Sequence, residues 1–461
     1  MHVAGIDIGT SSICCVVVDT QSGEQVAAVG KLNDSGLASA NEWERAQDPE
    51  RIAAIVQELI GELGGHWDVV AAVGISCQMH GVLYVDGNGD AASPLYTWQD
   101  RRGDCQFDDA ATYSGYMRSR TGYPLASGYG LVTHFYNARC GLVPQAAVYL
   151  CTIGDYIAMR LCGSSIPMMD ASNAASLGLF DLEARQFDID RIRELGLDPG
   201  ILPPVAVADD PAGRTADGKL VACAIGDNQA SFLGSVPSLA EAMLVNIGTG
   251  AQVSVFSESP DARPGIEVRP FPGSGYLLAG ASLGGGKSYA LLASLFRDVL
   301  SAFGEAPAAT SSMYERMNEM AEEALREGGT RLRVSASFFG TRENPAAAGS
   351  ISGIDESSLT AKQLVLGVLS GVADELLGFA ASFPGRLRSR ISAIAASGNG
   401  IRKNRVMQQL LREKLGYPLR LSRAEEEAAF GAALYAGVQA GLFPSCEAAI
   451  SHCQRSEAYD G

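Results

Sequence analysis

Two short turns in this chain have the residues needed to meet phosphate oxygens. The first is Asp7-Ile-Gly-Thr-Ser-Ser12. Gly9 lets the backbone turn tightly and come close to a ligand. Thr10, Ser11 and Ser12 add hydroxyl donors to the backbone N–H groups. Asp7, just ahead of the turn, can hold Mg²⁺ through water, because that ion keeps much of its hydration shell. The second turn, Asn246-Ile-Gly-Thr-Gly250, repeats the Ile-Gly-Thr core and supplies Gly248 and Thr249. A pair of such turns is far more specific than either one, since together they can clamp the phosphates of one nucleotide. Asp227, in Gly226-Asp-Asn-Gln-Ala-Ser231, ends an apolar run and opens a helix-like stretch. A carboxylate there can take a proton from a substrate hydroxyl or cap the helix.

Three further segments add recognition chemistry. Ser76-Cys-Gln-Met-His-Gly81 and Trp98-Gln-Asp-Arg-Arg102 each follow an apolar run. They combine forked polar groups with flat apolar surface, which suits a sugar. Ser397-Gly-Asn-Gly400 follows the apolar run Ile391 to Ala396. Loops beyond strand ends in α/β sheets are favoured ligand positions, and Asn399 or Asn404 can bond an adenosine there. Gly284-Gly-Gly-Lys-Ser288 imitates a phosphate-binding P-loop, but the required earlier glycine is Ala281, so that motif is rejected. Its glycine-rich helix start can still contact a nucleotide.

The elements that must carry these groups are legible in outline. His2–Ile8 and Ile13–Val18 read as a hairpin around the first turn, and Gly23–Leu32 as a third strand. Asp48 caps a helix whose first turn holds Pro49. Ile52, Ile55, Val56, Leu59, Ile60 and Leu63 give it one apolar face, and Gly64-Gly65 ends it. A strand over Val69–Cys77 follows, which completes an α/β pattern with a mixed sheet. Near residue 220 the pattern restarts, with a strand over Leu220–Ile225 and a second hairpin over Met243–Phe256. Two related domains are therefore expected, 1–220 and 221–445. The turn signals Asp209-Asp210-Pro211 and Asp217-Gly218 mark the junction.

Composition narrows the function classes. A length of 461 residues suits two cores. A formal net charge of -17 repels phosphate backbones, so nucleic acid is not an expected partner. Ten cysteines without a C-x-x-C pair support neither a zinc nor a thioredoxin-like site. No signal peptide is read and no apolar run reaches about 18 residues. The expectation is a cytoplasmic protein with reduced thiols and no membrane span, a monomer or homodimer.

In their order along the chain these segments, with Glu427-Ala-Ala-Phe-Gly-Ala-Ala433, resemble the FGGY family of carbohydrate kinases over about residues 3 to 440. The resemblance implies two actin-like, ribonuclease-H-type domains with mixed sheets, facing each other across a nucleotide cleft. It implies ATP as co-substrate, Mg²⁺, and a small sugar held mainly by the N-terminal domain. Matched motif to motif, Asp227 is the base, and Asp7 with Asp227 serves the metal. Gln78, Met79, His80, Trp98, Asp100 and Asn228 lie near the sugar. Thr10, Ser11, Ser12, Gly248 and Thr249 meet phosphates, while Gly285, Gly398, Asn399 and Asn404 lie around ribose and adenine. Within the family, Thr97–Arg102, Asp155–Gly163, Asp170–Ser176 and Ala281–Gly286 resemble the kinases of the seven-carbon ketose sedoheptulose. Xylulose kinases share Gln-Met-His-Gly and are the rival. The alternative from another class is an actin-like ATPase that acts on a protein partner.

Overall fold

The computed structural model describes the chain except residues 208–209, 262, 305–308, 342–343, 345 and 454–461. Asp209, part of an expected turn, lies outside the described residues. The remainder divides into two compact units. The first contains Met1–Pro237, Arg269–Tyr276 and, of the described residues, Arg423–Cys453; the second contains Ser238–Val268 and Leu277–Ser422.

The first unit is organised by the apolar runs at its start. β1 (His2–Ile8) and β2 (Ser12–Asp19) pair antiparallel, and β3 (Gln25–Leu32) continues from β2. Helix α1 (Pro49–Leu63) carries the chain back, capped by the Asp48 side chain on the Glu50 N–H and buried along Ile52, Ile55, Val56, Leu59 and Leu63. β4 (Val70–Cys77) then adds parallel to β1. β5 (Gly213–Arg214), β6 (Leu220–Val221) and β7 (Ile225–Gly226) complete a sheet of order β5-β6-β4-β1-β2-β3, with β7 also on β4. The strand expected over Leu220–Ile225 is thus two pieces. Leu220 pairs with Ala72 but Ile225 with Ser76, so one extra residue bulges between them.

The second unit repeats the plan. β8 (Ala242–Ile247) and β9 (Ala251–Ser257) form an antiparallel hairpin. With β10 (Glu267–Pro270), β11 (Tyr276–Ser282), β12 (Ala393–Ser397) and β13 (Leu419–Leu421) they give the order β10-β11-β9-β8-β12-β13. β12 lies parallel to β8 as β4 lies parallel to β1. Asp7 is paired with Ser76, and Asn246 with Ser397, at the same place in each copy. The shared Ile-Gly-Thr therefore marks a repeated hairpin.

The junction expected at 220/221 differs from the observed division at Pro237/Ser238. The turn at Asp217-Gly218 closes the β5–β6 hairpin, with Thr215 N–H on Lys219 O, inside the first unit. Helix α2 (Asp227–Ser235) stays there too, because it packs on a helix from the far end of the chain, Glu427–Gln439.

One helix of the second unit, Ala361–Ser382, is long and apolar enough to cross a membrane by length and composition. Val365, Leu366, Val368, Leu369, Val372 and Leu376 place it in that unit's core. No other helix among the described residues meets that test.

Candidate active site

The parallel register sets Asp7 beside Ser76, whose hydroxyl donates to Asp7 Oδ1 at 2.7 Å. The turn that follows is closed by Gly9 N–H on Ser12 O at 2.9 Å, leaving Ser11 and Ser12 exposed. Thr10 joins this turn to the sugar segments. Its hydroxyl donates to Gln78 Oε1 at 3.2 Å and accepts from Trp98 Nε1 at 3.0 Å. Gln78 Nε2 donates to Gln47 Oε1, and Gln47 Nε2 returns to Thr10 O, closing a polar ring. A cavity of about 390 Å³ opens beside Thr10, Gln47, Thr97 and Gln99; Asp227 and Met79 do not line it.

Asp227 is the first residue of α2, and Gly226 occupies the cap position, so the carboxylate is not a helix cap. Its Oδ1 accepts from Asn228 Nδ2 at 2.9 Å, and the same amide nitrogen lies 3.5 Å from Met79 Sδ. Asp227, Asn228 and Met79 thus form one group. His80 holds a left-handed backbone, φ 73°, which a non-glycine residue adopts only under constraint. Ser176 supplies that constraint, with its hydroxyl on the His80 N–H and its carbonyl 2.7 Å from Nδ1, while the ring stacks on Tyr129 at 4.5 Å.

Asp100 is placed elsewhere. It is fully buried, and both carboxylate oxygens are taken: Oδ1 by Arg102 N–H and Nε, Oδ2 by Arg102 Nη2 and the Arg45 N–H. No oxygen is left to meet a sugar. Asp100 instead balances Arg102, itself 1% exposed and surrounded by Trp43, Tyr96 and Tyr136. The expected substrate contact is replaced by a buried ion pair that supports the 43–47 segment.

In the second unit the nucleotide-type segments meet one another. Gly286 N–H bonds Gly248 O, and Lys287 N–H bonds Thr249 O, both at 2.9 Å, which docks helix α3 (Gly285–Ala302) on the β8–β9 turn. A Cβ at Gly285 would lie 2.1 Å from Gly250 O, so only glycine allows that approach. Gly398, at φ 84°, brings the Asn399 turn against Ile247. Asn404 is nearly buried: Oδ1 caps the Met407 N–H and Nδ2 donates to Asn318 Oδ1. Both ends of its amide shape the loop.

Residues singled out in the sequence thus meet in three groups: Thr10–Gln78–Trp98, Met79–Asp227–Asn228, and Gly248–Thr249–Gly285 with Gly398–Asn399. Four contributors were not singled out in the sequence. Gln47 and Ser76 complete bonds just described. Glu426 accepts from Cys14 Sγ at 3.2 Å, and the charge of buried Arg269 opposes the burial that raises the Asp227 carboxyl.

Comparison with protein-family models settles the family. The N-terminal domain of the FGGY carbohydrate kinases matches residues 2–234 and their C-terminal domain matches 243–440. The chain belongs to the FGGY family of carbohydrate kinases. This FGGY chain is 26% identical to sedoheptulokinase of Mus musculus over 93% of its length and 96% of that protein's. A ligand-bound xylulose kinase from Lactobacillus acidophilus superposes with a TM-score of 0.81 at 21% identity, covering 99% of this chain and 92% of that one. Plasmodium falciparum glycerol kinase with ADP gives 0.80 at 18%, covering 99% and 93%. The fold is the actin-like architecture of FGGY sugar kinases, with mixed sheets in two domains, and ATP is the family's co-substrate.

The charge state of the first turn bears on a cation. Burial pushes the Asp7 carboxyl up to about 7, with Asp227 and Glu426 adding repulsion and Ser76 opposing it. Among the described residues no three His, Cys, Asp or Glu side chains are arranged to hold a metal by themselves. The Asp7 carboxylate is the kind of hard oxygen donor that a hydrated Mg²⁺ would take. Asn246 at the matching point of the other copy is neutral, with Nδ2 donating to Ser397 at 2.6 Å. A stability prediction follows from Asp7. Its folded value lies above the unfolded one, so the folded protein gains stability below about pH 4 and loses it as pH rises toward 7. Without nucleotide or metal, Asp7→Asn is expected to melt about 1–3 °C above the parent at pH 8, and that gain should shrink by pH 5. Thermal melts at the two pH values check this; a variant that melts lower at pH 8 would show the carboxylate to be stabilising.

Proposed function

We propose that this kinase phosphorylates a ketose, with sedoheptulose the first choice, to give sedoheptulose 7-phosphate. The observation that carries the reading is the Asp227–Asn228–Met79 group, a carboxylate aimed from a helix start beside the Gln78-Met79-His80 segment. Asp227 accepts the proton of the sugar's terminal hydroxyl as its oxygen attacks the γ-phosphorus of ATP. Thr10, Ser11 and Ser12 on one turn, and Gly248 and Thr249 on the other, hold phosphate oxygens. Gly285, Gly398 and Asn399 accommodate the nucleoside. The N-terminal half is assigned the sugar and the C-terminal half the nucleotide. Mg²⁺, held through water by Asp7 and Asp227, would neutralise phosphate charge. Trp98 and the Thr10–Gln78–Gln47 ring link sugar recognition to the phosphate turn. Catalysis rests on positioning and charge compensation, since phosphoryl transfer asks for little covalent help.

The choice of seven carbons rests on the match to sedoheptulokinase along nearly the full length of both chains. A coupled ADP assay over sedoheptulose, xylulose, ribulose, fructose, glycerol and gluconate tests it. Sedoheptulose should give the highest kcat/KM. A pentulose that exceeds it by about tenfold, a difference of 1.4 kcal/mol in transition-state binding, would reassign the substrate.

A further inference from the structure

Gln47 belongs to none of the motifs, yet its side chain stands between the Thr10 turn and the Gln78 segment. It is only 5% exposed, and a buried amide is costly unless both of its ends are bonded. Its backbone forms a short strand, Ala46–Gln47, that pairs antiparallel with Leu95–Tyr96. The contact runs on toward Trp98, since the Thr97 N–H and hydroxyl both donate to Arg45 O, at 2.9 and 3.1 Å. The buried Asp100–Arg102 pair closes the same corner, with Asp100 Oδ2 accepting from the Arg45 N–H. Gln47 and Trp98 are therefore carried by one hydrogen-bonded piece of backbone.

Groups that can only accept or only donate fix the direction of every bond in this chain. Thr10 O is a carbonyl, so Gln47 must turn Nε2 toward it, at 3.0 Å. That leaves Gln47 Oε1 for Gln78, which must answer with Nε2, at 2.8 Å. Gln78, 2% exposed, is thereby made to present Oε1 to Thr10, and the Thr10 hydroxyl gives its one proton there, at 3.2 Å. The hydroxyl oxygen is left as an acceptor, and the Trp98 indole N–H, which can only donate, meets it at 3.0 Å. The indole is 48% exposed and has no freedom to choose another acceptor on this turn without breaking that order. We propose that Gln47 is a positioning residue for the sugar: its amide sets Gln78 and the Thr10 hydroxyl so that they hold the Trp98 ring in the orientation the sugar meets. Phosphate oxygens only accept, and the Thr10 proton is spent on Gln78. They are left to backbone N–H groups of the turn and to the exposed Ser11 and Ser12 hydroxyls. The inference rests on Trp98 standing at the sugar, and not on which sugar is used.

The test measures kcat, sugar KM and ATP KM for Gln47→Leu, Thr10→Val and Trp98→Phe in the full chain, with the sugar that the parent turns over fastest. Gln47→Leu removes both ends of the amide, and Thr10→Val, equal in size, removes the hydroxyl. Each is expected to raise the sugar KM by about 5–20-fold, the worth of one to two net hydrogen bonds, while ATP KM moves less than about threefold. Trp98→Phe keeps a ring without the N–H and should behave alike. All three break one chain of bonds, so Gln47→Leu combined with Trp98→Phe should be no worse than the worse single variant. Losses that add in full would give Gln47 a merely structural role and overturn the proposal. So would a sugar KM within about twofold of the parent in folded Gln47→Leu. A Thr10→Val protein whose ATP KM rises in place of its sugar KM overturns it too, by putting the hydroxyl on a phosphate. Thr10→Val, combined with Trp98→Phe, carries the same test should Gln47→Leu fold poorly. Parental sugar KM in Trp98→Ala would remove the ring from the sugar, and the proposal with it, a result distinct from additive losses.

Discussion

Asp227→Ala is expected to lower kcat by about 10²–10⁴-fold while sugar KM changes little. The expectation follows from where the carboxylate sits. Gly226 takes the cap position, so the Asp227 side chain is not needed to start α2, and its carboxylate accepts from its neighbour Asn228. Removing it costs the helix little and the chemistry much. Burial raises its pKa above the usual carboxylate range, against the Arg269 guanidinium. A raised base suits proton transfer from an alcohol, because a stronger base takes the proton more readily. Its sign is also testable. As pH falls through the raised value the base is protonated, so kcat/KM of the parent should drop above the pH at which an ordinary aspartate titrates. Steady-state kinetics across pH 4–8 on parent and variant decide it. Asp227→Asn, equal in size, should be as slow as alanine, with a melting temperature no lower than the parent's, since burial raises this carboxyl as it does Asp7. An asparagine variant that turns over at the parental rate would show that the carboxylate's charge takes no part.

The parts of this protein that were legible in its sequence are those fixed by local stereochemistry. Helix α1 announces itself through Asp48, Pro49, a 3.6-residue apolar period and Gly64, and each acts within a turn or two. The paired Ile-Gly-Thr turns were readable because a tight closure such as Gly9 N–H to Ser12 O imposes its residue types. Pairing and burial were not readable. The β6–β7 bulge depends on which residues of β4 stand opposite. Asp217-Gly218 signalled a turn correctly, but whether a turn joins domains or two strands of one sheet is decided by partners far away in the chain. Asp100 misled for the same reason. Gln-Asp-Arg-Arg has the polarity of a surface loop, yet Asp100 and Arg102 neutralise each other and are both buried beneath Tyr96. Pro270 stands 41 residues beyond Gln229 with no pattern between them, and only the fold brings its carbonyl to the Gln229 amide.

Gly74→Val should be the most damaging single substitution outside the site, and the reason lies in helix α4, taken here as Glu427–Gln439. Gly5 of β1 and Gly74 of β4 are register partners, and together they make a flat floor for that helix. A Cβ at Gly5 would lie 1.8 Å from Ala429 O, and one at Gly74 would lie 1.9 Å from Ala432 O. Real Cβ contacts essentially never fall below 3.0 Å, so the helix would have to retreat by more than an ångström. It cannot do so freely, because its other face meets α2 through a second glycine pair. Cβ atoms at Gly234 and Gly431 would strike Glu427 O and Ala230 O at 1.8 and 1.9 Å. The overlap is with backbone, which has no rotamer to change, so the cost is expected at or above the upper end of overpacking, about 3 kcal/mol. Gly74→Val and Gly5→Val should accumulate mainly as insoluble protein, or melt many degrees below the parent. Gly61→Ala is the control. It lies inside α1 with nothing within 4 Å of its added Cβ, so it should be neutral or gain up to about 1 kcal/mol from helix propensity. Activity should follow the same division. The helix backs the strand whose end carries Asp7, and α2, which it also holds, carries Asp227. A soluble Gly74→Val protein with parental melting temperature and turnover would show that this helix does not dock as described.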